Sequence, residues 1–326
     1  MKKINFQGQE ISCIALGSTN MGEPMTIEES WRVMDYARSV GVNVFDTARV
    51  YGEWYKDGGR TGYCEKVMGD YMKARGCRDE IFLVTKGAHP PLLDRFQSRL
   101  TAECLRADLE ASLVDLGTDH VDLYFLHRDH ETMDMAEVME QLHAFVCEGK
   151  VRAIGASNWR FDRIMEANAY AKEHGLTPFT ATQIEWSMAK FDESGNSDPT
   201  QMAMMPSEYE QYKQSGLLVM CFTAQAHGFF SKAQKYGGYD AMAQAGALSK
   251  YTDPANKHRV EAALELCEKY SVSPAALTLS YLTSQDFAVM PVVGCSRLEQ
   301  LQDSLSAPDL ALTAEDYKKI LQDDVI

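Results

Sequence analysis

VNVFDTARVYGEWY, running from Val42 to Tyr55, changes character in its middle. Val42, Asn43, Val44 and Phe45 alternate with the two-residue period of a strand; the run stops on a carboxylate, Asp46, and Tyr51 follows in the next turn. A barrel of parallel strands is built this way, because its chemistry is assembled where the strands stop. Taken alone, the stretch reads better as an ordinary strand with a capping aspartate and a packed tyrosine.

The flanking chain decides between the two. On the N-terminal side, Lys2 to Ile11 alternates around Gly8 as a β-hairpin does, and Cys13 to Leu16 is a short strand ending at Gly17, Ser18 and Thr19. Thr26 then caps a helical pattern that stops at Gly41. On the C-terminal side, Cys64 to Ala74 reads as a helix closed by Gly76, and the strand Ile81 to Val84 ends on Thr85, Lys86 and Gly87. After a His-Pro-Pro turn, an amphipathic helix spans Thr101 to Leu116 and is closed by Gly117. The strand Val121 to Leu126 finishes on His127, Arg128 and Asp129.

The alternation continues with a helix over Met133 to Glu148, a strand from Val151 leading to Ser157, Asn158 and Trp159, and a helix over Phe161 to His174. Thr180 to Trp186 is strand-like and carries Gln183, Pro206 to Ser215 is helical, and Leu217 to Phe222 is an apolar strand. Gln225 to Pro254 reads as one long, Gly-rich irregular loop, the kind that tends to be functional. Helices over Asn256 to Tyr270 and Pro274 to Thr283, a strand over Ala288 to Val293 and helices over Arg297 to Leu305 and Thr313 to Leu321 complete the chain. Strands starting at Cys13, Val42, Ile81, Val121, Val151, Thr180, Leu217 and Ala288 number eight, which predicts one α/β domain over residues 1–326, a (β/α)8 TIM barrel. The competing fold, a doubly wound dinucleotide-binding sheet, requires GxGxxG after its first strand, and that pattern is missing.

Composition narrows the partners. The chain has 326 residues, 45% of them hydrophobic, and a formal net charge of -15, which argues against nucleic acid and anionic membranes. MKKINFQGQE has no apolar run behind its lysines, and no other stretch approaches a membrane span, so a soluble cytoplasmic protein is expected. Eight dispersed cysteines without a CxxC pair read as buried reduced thiols rather than disulfides or a metal site.

In a barrel, Asp46, Lys86, His127, Ser157, Asn158 and Gln183 all stand at strand ends and converge on one mouth, with Tyr51 just beyond the second strand. Each has a bland reading, such as a solvated lysine or a structural histidine. Aspartate, lysine and histidine at successive strand ends, with the tyrosine close behind, form a set that fits one reaction. When hydride reaches a carbonyl carbon, charge develops on oxygen and a proton donor must lie within reach. A phenol titrates near ~10 and is a reluctant acid at neutrality, but a neighbouring ammonium stabilises its phenolate. Tyr51 suits the donor, Lys86 the ammonium, Asp46 its anchor and His127 the group that orients the carbonyl. Lys86 as a Schiff-base former on the same barrel is a second chemistry open to the set.

FDTARVYG (Phe45 to Gly52), LVTKG (Leu83 to Gly87), LYFLHRD (Leu123 to Asp129), GASNW (Gly155 to Trp159) and TQIEW (Thr182 to Trp186) together resemble the aldo-keto reductases. The nearest branch is that of aryl-alcohol dehydrogenase-like reductases and potassium-channel β subunits. The resemblance implies a (β/α)8 barrel with a hairpin closing its bottom. It also implies reduction of an aldehyde or ketone with a catalytic set of Asp46, Tyr51, Lys86 and His127, acting on a small molecule. Ser157, Asn158 and Gln183 match residues that hold a nicotinamide carboxamide, and Gly17, Ser18 and Gln225 join the cofactor contacts. Phe222 stands where a stacking Tyr is usual, and Thr223 where Ser is usual; the following AQAHGFF departs from the family's common Pro-Leu pattern.

Val292 to Ser304 is similar to the segment that grips the adenosine phosphate, which assigns Gly294, Cys295, Ser296, Arg297, Gln300 and Ser304 to the cofactor. Arg297 suits a ribose 2′-phosphate, so the resemblance implies NADPH, with NADH as the alternative. Gly294 replaces a Lys of some members, Gln300 an Arg and Ser304 a frequent Asn. Trp54, Arg128, Trp159, Trp186 and Phe229 are candidates for an aromatic-walled substrate pocket. The channel-associated branch leaves a cofactor-sensing regulatory module as a different class of function.

Overall fold

Gln7 and Gly8, at φ 51° and 81°, form the two-residue turn between β1 (Lys3–Phe6) and β2 (Gln9–Ser12). Positive φ at both central positions matches the twist of the paired strands, which is why a hairpin forms at this Gly. The computed structural model describes residues 1–56, 59–191 and 198–326.

Eight parallel strands follow: β3 (Ala15–Gly17), β4 (Val44–Asp46), β5 (Phe82–Gly87), β6 (Val121–Leu126), β7 (Val151–Ser157), β8 (Ala181–Glu185), β9 (Leu218–Phe222) and β10 (Val289–Val293). β10 pairs with β3 and closes the barrel. Inside it, Val44, Val84, Leu123, Phe125, Met220 and Met290 pack with Phe6 and Ile11 of the hairpin, which therefore plugs the N-terminal end. With that end filled by apolar side chains, the opposite end is left for polar ones.

The outer layer consists of α1 (Ile27–Ser39), α2 (Tyr63–Arg75), α3 (Ala102–Leu116), α4 (Met135–Cys147), α5 (Phe161–His174), α6 (Pro206–Ser215), α7 (Phe229–Tyr236), α8 (Tyr239–Gln244), α9 (Ala255–Tyr270), α10 (Pro274–Thr283), α11 (Leu298–Ser304) and α12 (Ala314–Leu321). Their ends follow local chemistry: Thr26 and Glu29 make a capping box on α1, and Gly76, Gly117 and Gly175 end α2, α3 and α5 in the left-handed conformation. Among the described residues no helix is long and apolar enough to cross a membrane. All eight cysteines are unpaired, and six are buried; Cys104 is half-buried and Cys147 exposed.

Two local expectations change. Val42 and Asn43 are not in the strand: the Val42 amide donates to Ala37 O at the end of α1, and Asn43 Oδ1 accepts from the Ser12 amide at 2.6 Å. The segment from Gln225 to Pro254 is not an irregular loop, since it contains a single 3-10 turn (Ala226–Gly228), α7 and α8. Buried Phe229, Phe230 and Ala233 recur at helical spacing, while Gly228, Gly237 and Gly238 interrupt the chain at positive φ. Those glycines dominate the local composition and hide the short helices between them.

Gly155 in β7 is a close-approach site. A Cβ there would lie 2.4 Å from the Phe125 ring and 2.7 Å from Ala181 O. Gly155→Ala is therefore expected to lower stability by about 1–3 kcal/mol, measured as a fall in the urea midpoint at unchanged slope. A midpoint equal to that of the unsubstituted protein would show that the barrel wall has room to relax.

Candidate active site

In-register pairing of β3, β4 and β5 sets Gly17 beside Asp46 and Asp46 beside Val84, so the ends of these strands share one rim. Lys86, near the end of β5, donates from Nζ to Asp46 Oδ2 at 2.7 Å and to Thr47 O at 2.8 Å. The other Asp46 oxygen, Oδ1, accepts from Gln183 Nε2 at 2.9 Å. Lys86 and Asp46 are 1% and 2% exposed, so this is a buried ion pair at the edge of the cleft. Burial works against the ammonium, but the Asp46 carboxylate and the Tyr51 phenol outweigh it and hold Lys86 above the ordinary lysine value.

Tyr51 lies in the turn after β4, with Lys86 Nζ 5.1 Å from its ring centre. Its edge-to-face neighbours are His127 and Trp54, each at 5.8 Å. That turn is fixed from behind. The Arg49 amide donates to Lys86 O at 2.9 Å, and the Arg49 side chain donates to Glu65 of α2 at 2.8 Å and Asp115 of α3 at 2.6 Å. Thr85 Oγ1, on β5, donates to the same buried Glu65 at 2.6 Å. Sequence reading assigns no part to Arg49, Glu65 and Asp115, because nothing in their spacing shows that they meet.

His127 follows β6 directly. Burial, then His89, Arg128 and Lys86, hold its ring well below the usual histidine value, so it is neutral. Its Nδ1 is buried without a hydrogen-bond partner among the described residues. An orphaned N–H is rarer in proteins than an orphaned acceptor, so the proton belongs on Nε2. His127 thus offers a neutral N–H donor to the cleft it lines.

A cleft of about 870 Å³ runs from Asp46, Tyr51, Trp54 and His127 past Ser157, Asn158, Gln183 and Phe222 to Gly294, Cys295, Ser296, Gln300 and Ser304. Gly17, Thr223 and Gln225 also line it. In its middle, Ser157 Oγ donates to Gln183 O at 2.9 Å, and Asn158 Nδ2 donates to Ser157 Oγ and His127 O at 3.0 and 3.1 Å. Asn158, at φ 60°, also accepts the Met202 amide on Oδ1 at 3.0 Å. The amide hydrogens of Asn158 are committed to the wall, and acceptor capacity remains on Gln183 Oε1. This face suits an incoming NH2 group. At the far end, Gln225 Nε2 donates to Ser304 Oγ at 3.0 Å, and Gln300 Oε1 accepts from the Ser296 amide at 2.8 Å.

Several sequence candidates lie off the cleft. Trp159 is buried against Phe179 and under the Arg163 guanidinium, and Trp186 is buried and stacked on Phe287. Phe229 packs on Tyr251 and Phe230, and Phe230 reaches the cleft instead. Ser18 is buried with an Oγ that has no partner among the described residues, and Arg297 is exposed outside the lining. Of the proposed pocket residues, Trp54 and Arg128 line the cleft. Arg128 does not pair with its neighbour Asp129, which Arg163 holds at 3.1 Å; it donates to Thr200 at 2.9 Å, His127 O at 2.9 Å and Asp198 at 3.3 Å. His89, Arg95, Asp198 and Gln201 complete this wall and were not among the sequence candidates. For His89 a signal existed: it sits three residues after Lys86, beyond a strand end.

The aldo/keto reductase family model matches residues 13–323. The chain is 30% identical to norsolorinic acid reductase stcV of Emericella nidulans, over 96% of this chain and 78% of that protein. It is 28% identical to norsolorinic acid reductase A of Aspergillus parasiticus, with the same coverage of 96% and 78%. It is also 27% identical to the uncharacterized oxidoreductase YrpG of Bacillus subtilis, over 94% and 90% of the two chains.

Proposed function

The chain belongs to the aldo/keto reductase family, and on that premise we propose that it reduces an aldehyde or ketone to an alcohol with NADPH, Tyr51 giving the proton. The observation that carries the reading is the buried Lys86–Asp46 pair beside Tyr51 at the mouth of a cleft long enough to continue to residues 294–304. Two relatives with reductase names support the same direction. The reading includes a small-molecule substrate and a cytoplasmic setting.

The residues present fit a nicotinamide dinucleotide. Gln183, Ser157 and Asn158 offer an acceptor-rich face for a carboxamide NH2, and Phe222 an apolar ring for the nicotinamide. When bound, the dinucleotide supplies the hydride. The chain's own part is proton transfer and orientation. His127 Nε2–H and the Tyr51 hydroxyl both donate to the carbonyl oxygen, which polarises the bond and fixes its face. As charge builds on that oxygen, the Tyr51 proton moves to it, and the phenolate left behind is stabilised by the Lys86 ammonium. Asp46 keeps that ammonium charged and immobile. A Schiff-base role would need Lys86 to lose its proton, which the same pair opposes.

The Arg297 side chain is exposed and its guanidinium has no hydrogen-bond or ion-pair partner among the described residues, which supports its use on a 2′-phosphate; Asp303 lines the same end of the cleft and opposes it. An NADPH-oxidation screen over aromatic aldehydes, sugars, keto acids and α-dicarbonyls, repeated with NADH, tests reaction and cofactor together. Arg297→Ala is expected to raise KM for NADPH about tenfold more than KM for NADH. Equal changes for the two dinucleotides would remove Arg297 from the phosphate, and no oxidation of either with any carbonyl would defeat the reductase reading.

A further inference from the structure

His89 is a second histidine in the cleft that the proton-transfer scheme leaves unused. It is 8% exposed, lines the cleft, and meets the His127 ring edge-to-face at 4.7 Å. Its position is built. Ala88 takes φ 57°, a left-handed conformation, and its amide donates to Asp108 Oδ2 of α3 at 2.8 Å. Arg99 grips both oxygens of Asp108 at 2.7 and 2.9 Å and donates to His89 O at 3.3 Å.

The ring's protonation pattern follows from one contact. Nδ1 lies 2.6 Å from Pro90 O, and a carbonyl only accepts, so Nδ1 carries the hydrogen and Nε2 presents a lone pair. That Nε2 has no partner among the described residues and is not sealed from the cleft. The charged groups on the same wall are turned elsewhere: Arg128 donates to Thr200, His127 O and Asp198, and Arg95 pairs with Asp198. Burial first, then Arg128, holds the imidazole down to about 4, so it is a neutral acceptor at physiological pH.

Two adjacent rings therefore present complementary groups: a donor, His127 Nε2–H, and an acceptor, His89 Nε2. The carbonyl oxygen that His127 addresses accepts. A group reaching His89 beside it must donate. We propose that His89 selects carbonyl substrates carrying a hydroxyl next to the carbonyl, as in an α-hydroxy ketone or an ortho-hydroxyaryl ketone, with Nε2 accepting the hydroxyl hydrogen. This rests on the reductase reading for its chemistry, although the recognition itself is a binding property. A ligand without the donor buries the imidazole lone pair unpaired, and sites of that kind discriminate strongly.

The test uses phenacyl alcohol and 2′-hydroxyacetophenone, each against its methyl ether, and the readout is the hydroxyl-to-ether ratio of kcat/KM. The unsubstituted protein should prefer the hydroxyl form of at least one pair by about tenfold or more. That ratio should collapse towards one in His89→Phe and in a second apolar variant, His89→Leu, and survive in part in His89→Gln, whose amide oxygen still accepts. A ratio near one for both pairs in the unsubstituted protein, or an undiminished ratio in the apolar variants, overturns the proposal. Binding of the four ketones, followed by fluorescence of the nearby Trp54, separates the two levels. A hydroxyl preference in binding that depends on His89, with no oxidation of NADPH or NADH by these ketones or by any carbonyl of the broader screen, would uphold this proposal and reject the reductase reading; turnover with no preference at either level would do the reverse.

Discussion

Tyr51→Phe is expected to retain dinucleotide binding and to lower kcat for carbonyl reduction by about a hundredfold to ten-thousandfold, the usual contribution of a positioned proton donor. The substitution removes one oxygen and keeps the ring, so the edge-to-face contacts with His127 and Trp54 and the placement of Lys86 over the ring persist. Stability should change modestly, because the hydroxyl removed is one partner of the Lys86 ammonium, which keeps Asp46 Oδ2 and Thr47 O. Stopped-flow reduction under cofactor saturation is the measurement. An unchanged kcat would remove Tyr51 from the chemistry and leave His127 Nε2–H as the remaining donor to the carbonyl.

The second large effect concerns the ion pair beneath it. Asp46→Leu leaves the Lys86 ammonium 1% exposed with only neutral acceptors, Thr47 O and the Tyr51 phenol, and leaves Gln183 Nε2 without the Asp46 oxygen. Breaking a buried pair from one side costs about 3–5 kcal/mol, because the surviving charge cannot be hydrated. The double variant Asp46→Leu with Lys86→Met replaces both charges by apolar groups of comparable size, and should recover most of that loss. Activity should be lost in both, since the single variant takes away the carboxylate that anchors the Lys86 ammonium beside Tyr51 and the double variant has no ammonium to stabilise the Tyr51 phenolate. Urea titration of the two singles and the double closes the cycle. Additive losses would mean that the pair is not coupled, and a single-variant cost below about 1 kcal/mol would mean that water reaches it.

Strand and helix positions were legible because they depend on periodicities of two and 3.6 residues, which any short window displays. The eight strands and the plugging hairpin follow from that, and with them the strand ends that carry Asp46, Lys86, His127, Ser157, Asn158 and Gln183. The helices between Gln225 and Pro254 were hidden because they are short and bounded by glycines. Trp159 and Trp186 looked like pocket walls because they adjoin site motifs, yet they face aromatic neighbours, buried Phe179 for Trp159 and buried Tyr281 with half-buried Phe287 for Trp186. Adjacency in sequence gives a residue's place on the rim and says nothing of the side to which it turns.

By itself, then, the sequence determined the barrel and which polar residues stand at its mouth, since alternation and strand length are local properties. Only the tertiary structure decided what holds them: Gln183 on Asp46 from β8 to β4, Arg49 between Glu65 and Asp115, and Arg128 on Asp198 rather than on its neighbour Asp129. It also brought His89 against His127. Such contacts join residues far apart along the chain, and they exist only once barrel closure has fixed which strand ends share the rim.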